Sequence, residues 1–145
     1  MPSTFSFRGY VYHLSKYNLK DKKVFLKIDI EDAEYDVFKD ESFYKYFDNV
    51  VQLVIEFHRL NTRLGELAEI IKRLSRTHSL IHIHGNNIAD TFSYDGKTVP
   101  EVVEAIFLHN SFIPDKVLSA ESYPIKGLDL PCNKKWEDIP LDFFK

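Results

Sequence analysis

Acidic, imidazole and amide side chains gather where three short apolar runs of the sequence end. In chain order they are Asp29, Glu31, Glu56, His58, His82, His84 and Asn86. A carboxylate at the end of a buried strand is costly to place unless it is hydrogen-bonded or binds a ligand. If the three runs are parallel strands, their ends meet at one edge of a sheet, which is where open α/β sheets bind ligands. The pattern therefore predicts a functional site at that edge.

Two kinds of chemistry fit these side chains. Carboxylate oxygens suit Mg²⁺ or Mn²⁺ and imidazole suits Mn²⁺, Fe²⁺ or Zn²⁺, so Asp29, Glu56 and His84 could hold a divalent metal. Alternatively, a histidine could serve as a general base because its pKa is close to neutral. The predicted catalytic residues are Asp29, Glu56, His58 and His84. The predicted substrate contacts are Glu31, His82, Asn86 and Asn87.

Several of these residues also have a purely structural explanation. Glu31 or Asp32 could cap the helix that follows, which would leave Asp29 in solvent. His82 lies between two isoleucines and could be a hydrogen-bonded interior histidine. The histidines for which we predict only surface or packing roles are His13, His78 and His109.

The apolar periodicity predicts strands and helices that alternate along the chain. The predicted strands span 24–30, 50–57, 79–84 and 102–108, and the predicted helices span 9–19, 32–46 and 61–74. Short runs rich in β-branched residues indicate buried strands, whereas apolar residues at three- and four-residue spacing indicate helices. Strands alternating with helices are typical of parallel sheets. We predict an α/β fold with about four mainly parallel strands flanked by helices.

The 145 residues suffice for one domain with its own core, and we predict a single domain over 1–145. Residues 1–8 show no periodicity and are predicted to form an arm. Residues 88–98 are predicted to form a polar loop, and residues 110–145 an irregular tail that wraps the sheet. The apolar residues predicted to anchor this tail are Trp136, Phe143 and Phe144.

Composition excludes several classes of protein. The net charge is -3 and no long basic run occurs, so no nucleic-acid partner is expected. No apolar run reaches membrane-spanning length, and the N-terminus lacks the apolar core of a signal peptide. The single cysteine, Cys132, cannot form an intramolecular disulfide and fits a reducing compartment. We therefore expect a soluble cytoplasmic protein.

Four segments resemble motifs of known methyltransferases. The sequence L-K-I-D-I-E-D-A-E-Y-D-V-F at 26–38 resembles a strand-and-turn signature usually written I-D-x-E-G-A-E, and V-I-E-F-H at 54–58 resembles the strand that follows it. Segments 82–87 and 124–129 resemble a subset of these proteins encoded in bacterial surface-polysaccharide clusters. Over roughly residues 10–143, the chain is similar to the C-terminal half of an FkbM-type S-adenosylmethionine-dependent methyltransferase.

This resemblance implies a partial Rossmann-like methyltransferase sheet and methyl transfer to a hydroxyl, often on a sugar. It implies that Asp29 lies beside the active site and Glu56 at the next strand end, where acids hold a divalent metal in some related methyltransferases. Asp32 stands where the family usually has glycine. The chain has 5 glycines and no G-x-G-x-x-G motif, so we predict no cofactor-binding residues and expect it to be incomplete for S-adenosylmethionine.

A sheet that begins with the strand at 24–30 would have an unpaired edge that invites pairing with another chain. We therefore predict a homo-oligomer or a complementing polypeptide at this edge. The alternative to an enzyme is a non-catalytic domain derived from the same fold, which binds a metal or a saccharide or serves for dimerisation.

Overall fold

Six strands and two α-helices make up the part of the chain that the computed structural model describes, residues 16–19 and 21–141. The strands are β1 (Val24–Ile28), β2 (Val50–Phe57), β3 (His78–Gly85), β4 (Thr91–Tyr94), β5 (Lys97–Pro100) and β6 (Val103–His109). The helices are α1 (Glu34–Lys39), α2 (Leu60–Leu74) and two 3₁₀ helices, Glu41–Asn49 and Asn110–Phe112. The predicted arm at 1–8, the first part of the helix predicted at 9–19 with His13, and two predicted anchors, Phe143 and Phe144, lie outside the described residues. Residues 16–19 are not helical.

The main sheet has four strands in the order β1, β2, β6, β3. β1 pairs with β2 in parallel, and β6 pairs antiparallel with both β2 and β3. The predicted α/β class and the four strands are confirmed, but the prediction of mainly parallel pairing was wrong. The reason is that no helix lies between β3 and β6. Parallel neighbours need a crossover connection, usually a helix, whereas β6 returns beside β3 in the opposite direction. Among the described strands, β1 and β2 form the one parallel pair, so the predicted Rossmann-like sheet is not supported beyond this pair.

Strand direction matters more for the site than strand pairing. Because β6 is antiparallel to both β2 and β3, and β1 is parallel to β2, the strands β1, β2 and β3 all run the same way. Their carboxyl ends therefore meet at one edge of the sheet, as the sequence predicted. We call this the carboxyl edge.

One face of the sheet carries the core. Residues in β2 and β6 alternate between buried and partly exposed, so every second side chain points toward the helices. Phe57 of β2 meets an aromatic cluster on α1 and the first 3₁₀ helix. Within this cluster, the ring of Phe38 lies 5.5 Å from that of Phe43 and 6.1 Å from that of Phe47. This cluster fixes α1 against the sheet.

The helix predicted at 32–46 is shorter than expected. α1 ends at Lys39 because Asp40 adopts an extended conformation, with φ -81° and ψ 115°. The Asp40 carboxylate accepts a hydrogen bond from the backbone N–H of Ser42 at 2.7 Å, which caps the 3₁₀ helix instead. Aspartate competes with helical hydrogen bonding in this way. The helix predicted at 61–74 is confirmed as α2.

The segment at 88–98 is a β-hairpin and not only a polar loop. β4 and β5 pair antiparallel around Asp95 and Gly96, whose φ angles are 50° and 72°. Two consecutive left-handed residues define the tight turn that Asp-Gly sequences favour. None of the helices in the described part of the chain has the length and apolarity needed to span a bilayer.

The tail from 113 to 141 contains no helix or strand. Its buried side chains include Tyr123 and Leu141, and the backbone N–H of Leu141 donates to the carbonyl of Tyr123 at 3.0 Å. Trp136 is 55% exposed, so the prediction that it anchors the tail was wrong. Leu141, which is almost completely buried and lies beside Gly85, takes that role.

Candidate active site at the carboxyl edge

The turn between β1 and α1 brings acidic residues to the carboxyl edge. Glu31 and Asp32 have φ angles of 53° and 80°, in the left-handed region that favours glycine. Asp32 stands where the resembled signature has glycine, and the turn keeps the glycine-like backbone because aspartate tolerates this region better than most residues. The Asp32 carboxylate accepts hydrogen bonds from Arg59 at 3.1 Å and Arg63 at 2.9 Å. The substituted side chain is therefore part of the structure that supports the turn.

His58 and Glu34 form a hydrogen-bonded dyad. His58 follows β2 directly, and Glu34 is the first residue of α1 and is fully buried. The His58 Nδ1 donates to Glu34 Oε1, because a carboxylate can only accept. The Tyr35 hydroxyl donates to the main-chain carbonyl of His58 at 2.7 Å. Glu34 thus holds the imidazole and Tyr35 holds the main chain of the same residue. Nε2 is directed to the carboxyl edge, where it lies near Glu31 and Glu56.

Three acids surround the free side of the imidazole. His58 Nε2 lies 3.6 Å from Glu31 Oε2 and 3.7 Å from Glu56 Oε1. A set of three polar side-chain atoms, one each from Asp29, Glu31 and His58, lies within 4.8 Å of one another. Asn86 donates to Glu56 Oε1 at 3.3 Å. Five residues that the sequence predicted for the site are therefore neighbours in the fold.

The electrostatic setting of the dyad changes both pKa values. Burial alone would lower the pKa of His58, but its hydrogen bond with Glu34 and the negative charges of Glu34, Glu31 and Glu56 together raise it. Burial raises the pKa of Glu34, although hydrogen bonds from the backbone and from His58 oppose this effect. Glu34 Oε2 has no hydrogen-bond partner among the described residues. The dyad therefore favours a proton on the imidazole.

The two histidines of β3 face a different neighbour. His82 Nε2 donates to Asp129 and His84 Nε2 donates to Asp138, each at 2.8 Å, and both acids belong to the tail. Glu104 of β6 pairs with Glu56 of β2 on one side and with His84 of β3 on the other. The Cα atoms of Glu56 and His84 are therefore separated by two strand spacings, about 10 Å. The structure does not bring His84 into the group around His58.

Asn87 likewise contacts the tail. It is buried, and its side-chain amide donates to the carbonyls of Asn133, Trp136 and Glu137 at 3.0 to 3.3 Å. Its Oδ1 accepts from the backbone N–H of Asn133 at 2.8 Å. Buried amides satisfied in this way hold chain segments together. Asn87 therefore connects the end of β3 to the tail.

Sequence reasoning missed Glu34 as a site residue. The signal was present, because Glu34 occupies the last position of the signature I-D-x-E-G-A-E. An acid in the first turn of a helix is usually explained by the helix dipole. Only the docking of α1 on the sheet shows that this carboxylate is buried and contacts His58.

Comparison with known proteins connects this geometry to a family. The family model of the methyltransferase FkbM domain matches residues 10–85. This range holds β1 to β3 and both α-helices, and thus His58 and the acids around it, while Asn86 directly follows the matched range. No curated protein and no solved structure matches the chain.

The match is shorter than the resemblance over roughly 10–143 that the motifs suggested. It lies in the N-terminal part of this chain and excludes the segment at 124–129, so the assignment to the C-terminal half of the domain is not supported in that form. The matched residues are just over half of the sequence. The chain belongs to the FkbM methyltransferase family.

Proposed function

We propose that this chain provides the acceptor side of an S-adenosylmethionine-dependent O-methyltransferase and that His58 is its general base. The observation that supports this most directly is the bond between His58 Nδ1 and the buried carboxylate of Glu34. Membership of the family implies methyl transfer and, in general, dependence on S-adenosylmethionine. Methylation of a hydroxyl also requires that the hydroxyl lose its proton, which a positioned histidine can accept.

The dyad has the parts that such a base needs. Glu34 fixes the tautomer and orientation of the ring, as the acid does in hydrolase triads, and stabilises the imidazolium that forms. His58 Nε2 then takes the proton of the acceptor hydroxyl. The charges of Glu31 and Glu56, at 3.6 and 3.7 Å from Nε2, favour the protonated ring that results.

A saccharide is the acceptor that we propose. The carboxyl edge offers carboxylates and an amide, which hydrogen-bond sugar hydroxyls, and the proposed contacts there include Glu31, Glu56 and Asn86. The motif resemblance at 82–87 and 124–129 supports an acceptor from bacterial surface polysaccharides.

The described residues do not fit a complete site for S-adenosylmethionine. A Rossmann-type cofactor site uses a glycine-rich turn between a strand and a helix. Within residues 16–19 and 21–141 the glycines lie elsewhere: inside α2, at the end of β3, in the β4–β5 turn and in the tail, at Gly65, Gly85, Gly96 and Gly127.

We propose that another polypeptide segment supplies the cofactor side by pairing with β1. β1 is at the end of the sheet, and within the described residues β2 is its only strand neighbour. An edge strand of this kind presents unpaired backbone groups to a partner strand. A second copy of the chain is the alternative partner. The chain together with this segment is the assembled enzyme.

Calorimetry and methyl transfer test the proposal. We expect the chain alone to show no one-to-one binding of S-adenosylmethionine, and the assembled enzyme to transfer a labelled methyl group to an oxygen of a neutral oligosaccharide. Tight one-to-one binding by the chain alone would contradict a separate cofactor side. Transfer to nitrogen or sulfur acceptors in place of oxygen would contradict the proposed reaction.

A second candidate is a metal-binding domain without catalysis. It is favoured by the three ligand atoms of Asp29, Glu31 and His58, which lie within 4.8 Å of one another. Glu34 would then orient His58 from behind, as carboxylates do for metal-bound histidines. The metal ligands predicted from the sequence were Asp29, Glu56 and His84. This set does not support a metal-binding domain, because His84 is hydrogen-bonded to Asp138 of the tail. A metal on Nε2 would prevent His58 from acting as a base.

Metal titration separates the two candidates. We expect Mn²⁺ to bind the wild-type chain no more tightly than the Asp29→Asn variant, because Glu31 is 88% exposed and would have to be ordered. Calorimetry measures both affinities, and Asp90→Asn on an exposed site elsewhere is the matched control. One-to-one binding that Asp29→Asn weakens by about tenfold or more would favour the metal-binding domain and count against the general base.

A further inference from the structure

We infer that Arg63 is the positioning residue of this site: it holds the β1–α1 turn and Tyr35 so that Glu31, Glu34 and His58 stay together. This inference rests on the proposed function of the dyad. Arg63 lies in the first part of α2. Its polar partners among the described residues are Asp32, Asp36 and Glu66, none of which is a reacting group. It acts through Asp32 and Tyr35, both of which it contacts directly.

The first contact is with the turn. Arg63 Nη1 donates to Asp32 Oδ1 at 2.9 Å and to the Asp32 carbonyl at 3.2 Å. Asp32, whose backbone is in the left-handed region, directly follows Glu31, and one residue separates it from the start of α1. Holding both its side chain and its main chain therefore fixes the direction in which Glu31 and Glu34 leave the turn.

The second contact is with Tyr35. The guanidinium carbon of Arg63 lies 4.1 Å from the centroid of the Tyr35 ring, a cation–π geometry. The hydroxyl of the same tyrosine donates to the carbonyl of His58 at 2.7 Å. One side chain thus contacts the supports of both halves of the dyad, the acid on α1 and the histidine after β2.

The guanidinium is itself held in place by Glu66. Arg63 Nε and Nη2 donate to the two oxygens of Glu66 at 2.8 and 3.0 Å, a bidentate arrangement that lysine cannot reproduce. These bonds from Arg63, together with that from Lys39, lower the pKa of Glu66 to about 2. The network stays charged over the whole pH range in which a histidine base would work.

Arg73 offers a matched control on the same helix. Its guanidinium lies 4.4 Å from the ring of Tyr44, and it forms an ion pair with Glu41. Arg73 therefore joins α2 to the first 3₁₀ helix in the way that Arg63 joins α2 to the turn. Its partners hold no residue of the site. If arginines on α2 served only to stabilise the fold, the two positions would behave alike.

The test compares Arg63→Met and Arg63→Lys with Arg73→Met and Arg73→Lys. The readouts are the pKa of His58 from an NMR pH titration, methyl transfer by the assembled enzyme, and urea unfolding. We expect Arg63→Met to lower the pKa of His58 toward its ordinary value and to lower the rate about 10- to 100-fold, as loss of a supporting residue does elsewhere. Arg63→Lys should keep only part of the wild-type rise in the His58 pKa and only part of the wild-type rate. The Arg73 variants should change neither the pKa of His58 nor the rate.

Asp32→Gly is the second variant, because glycine accepts the left-handed turn and the fold is kept. It removes only the side-chain bonds to Arg59 and Arg63, and we expect a smaller change of the His58 pKa in the same direction. Equal effects at Arg63 and Arg73, or an unchanged His58 pKa in Arg63→Met, would overturn the inference. The NMR measurement does not depend on activity. An unchanged His58 pKa in Arg63→Met would therefore count against the inference, whereas failure of the assembled wild-type enzyme to transfer a methyl group would count against the proposed function.

Discussion

Replacing His58 with asparagine should lower the rate of methyl transfer by the assembled enzyme about 10²- to 10⁴-fold, which is the usual contribution of a general base. Asparagine can still bond to Glu34, so the buried carboxylate is not left alone. It cannot accept a proton, however, and the acceptor hydroxyl would have to ionise unaided. Substrate binding should change little, so the loss is expected in kcat and not in KM.

The control for this variant is His109→Asn. His109 ends β6, which runs opposite to the other strands, so it lies at the edge of the sheet away from the carboxyl edge. Its Nδ1 is hydrogen-bonded to the neighbouring Ser111. We expect the rate of methyl transfer by the His109→Asn variant to match that of the wild type. A loss of less than about threefold in His58→Asn would contradict the assignment of the base, since general bases contribute far more.

Replacing Phe38 with alanine should lower the free energy of unfolding by about 3–5 kcal/mol, the range for a buried phenylalanine. Phe38 is almost completely buried and has aromatic neighbours in two other elements, the first 3₁₀ helix and β2. Its ring centroid lies 5.5 Å from Phe43, 6.1 Å from Phe47 and 6.4 Å from Phe57. Removing the ring leaves a cavity between α1, the first 3₁₀ helix and β2.

The effect should extend to the site, because α1 has only 6 residues and such a short helix is not stable without tertiary packing. Glu34 begins this helix, so loosening α1 loosens the dyad. Urea unfolding measures the loss, with Phe25→Ala as the control, since Phe25 is 72% exposed and should cost little. A loss below about 1 kcal/mol in Phe38→Ala would show that α1 is held by other contacts.

Local periodicity explains which parts of the fold were predictable. The residues of β2 and α2 carry continuous apolar or three- and four-residue patterns, and both elements are where the sequence predicts them. The pairing of β6 between β2 and β3 depends on contacts between distant segments. No local pattern distinguishes this arrangement from a parallel one, so the strand was predicted and its pairing was not.

The same distinction holds in the site. That Asp29, Glu56 and His58 meet follows from the rule that parallel strands end at one edge. The partners of His82 and His84, by contrast, lie 47 and 54 residues further along the chain, in a tail without periodicity. Their identity depends on how the tail packs, which its sequence does not reveal.

The most direct test of the account is the pKa of His58, measured by NMR titration of labelled imidazole in the wild-type chain and in Glu34→Gln. The neighbouring acids should raise the wild-type pKa above the ordinary value of 6.5. Because the folded protein binds this proton more tightly than the unfolded chain, protonated His58 stabilises the fold at pH values below 6.5. This stabilisation is lost as the pH rises through the pKa of His58 in the folded protein. The base works when neutral, so methyl transfer should increase over the same interval of pH.

Glutamine keeps the size of Glu34 and can still accept the bond from Nδ1, but it lacks the charge that stabilises the imidazolium. The account predicts that the pKa of His58 falls in Glu34→Gln and that the acid limb of the rate profile moves to lower pH with it. An equal or higher pKa in Glu34→Gln would show that Glu34 does not control the imidazole, and would contradict the dyad on which the proposed function depends.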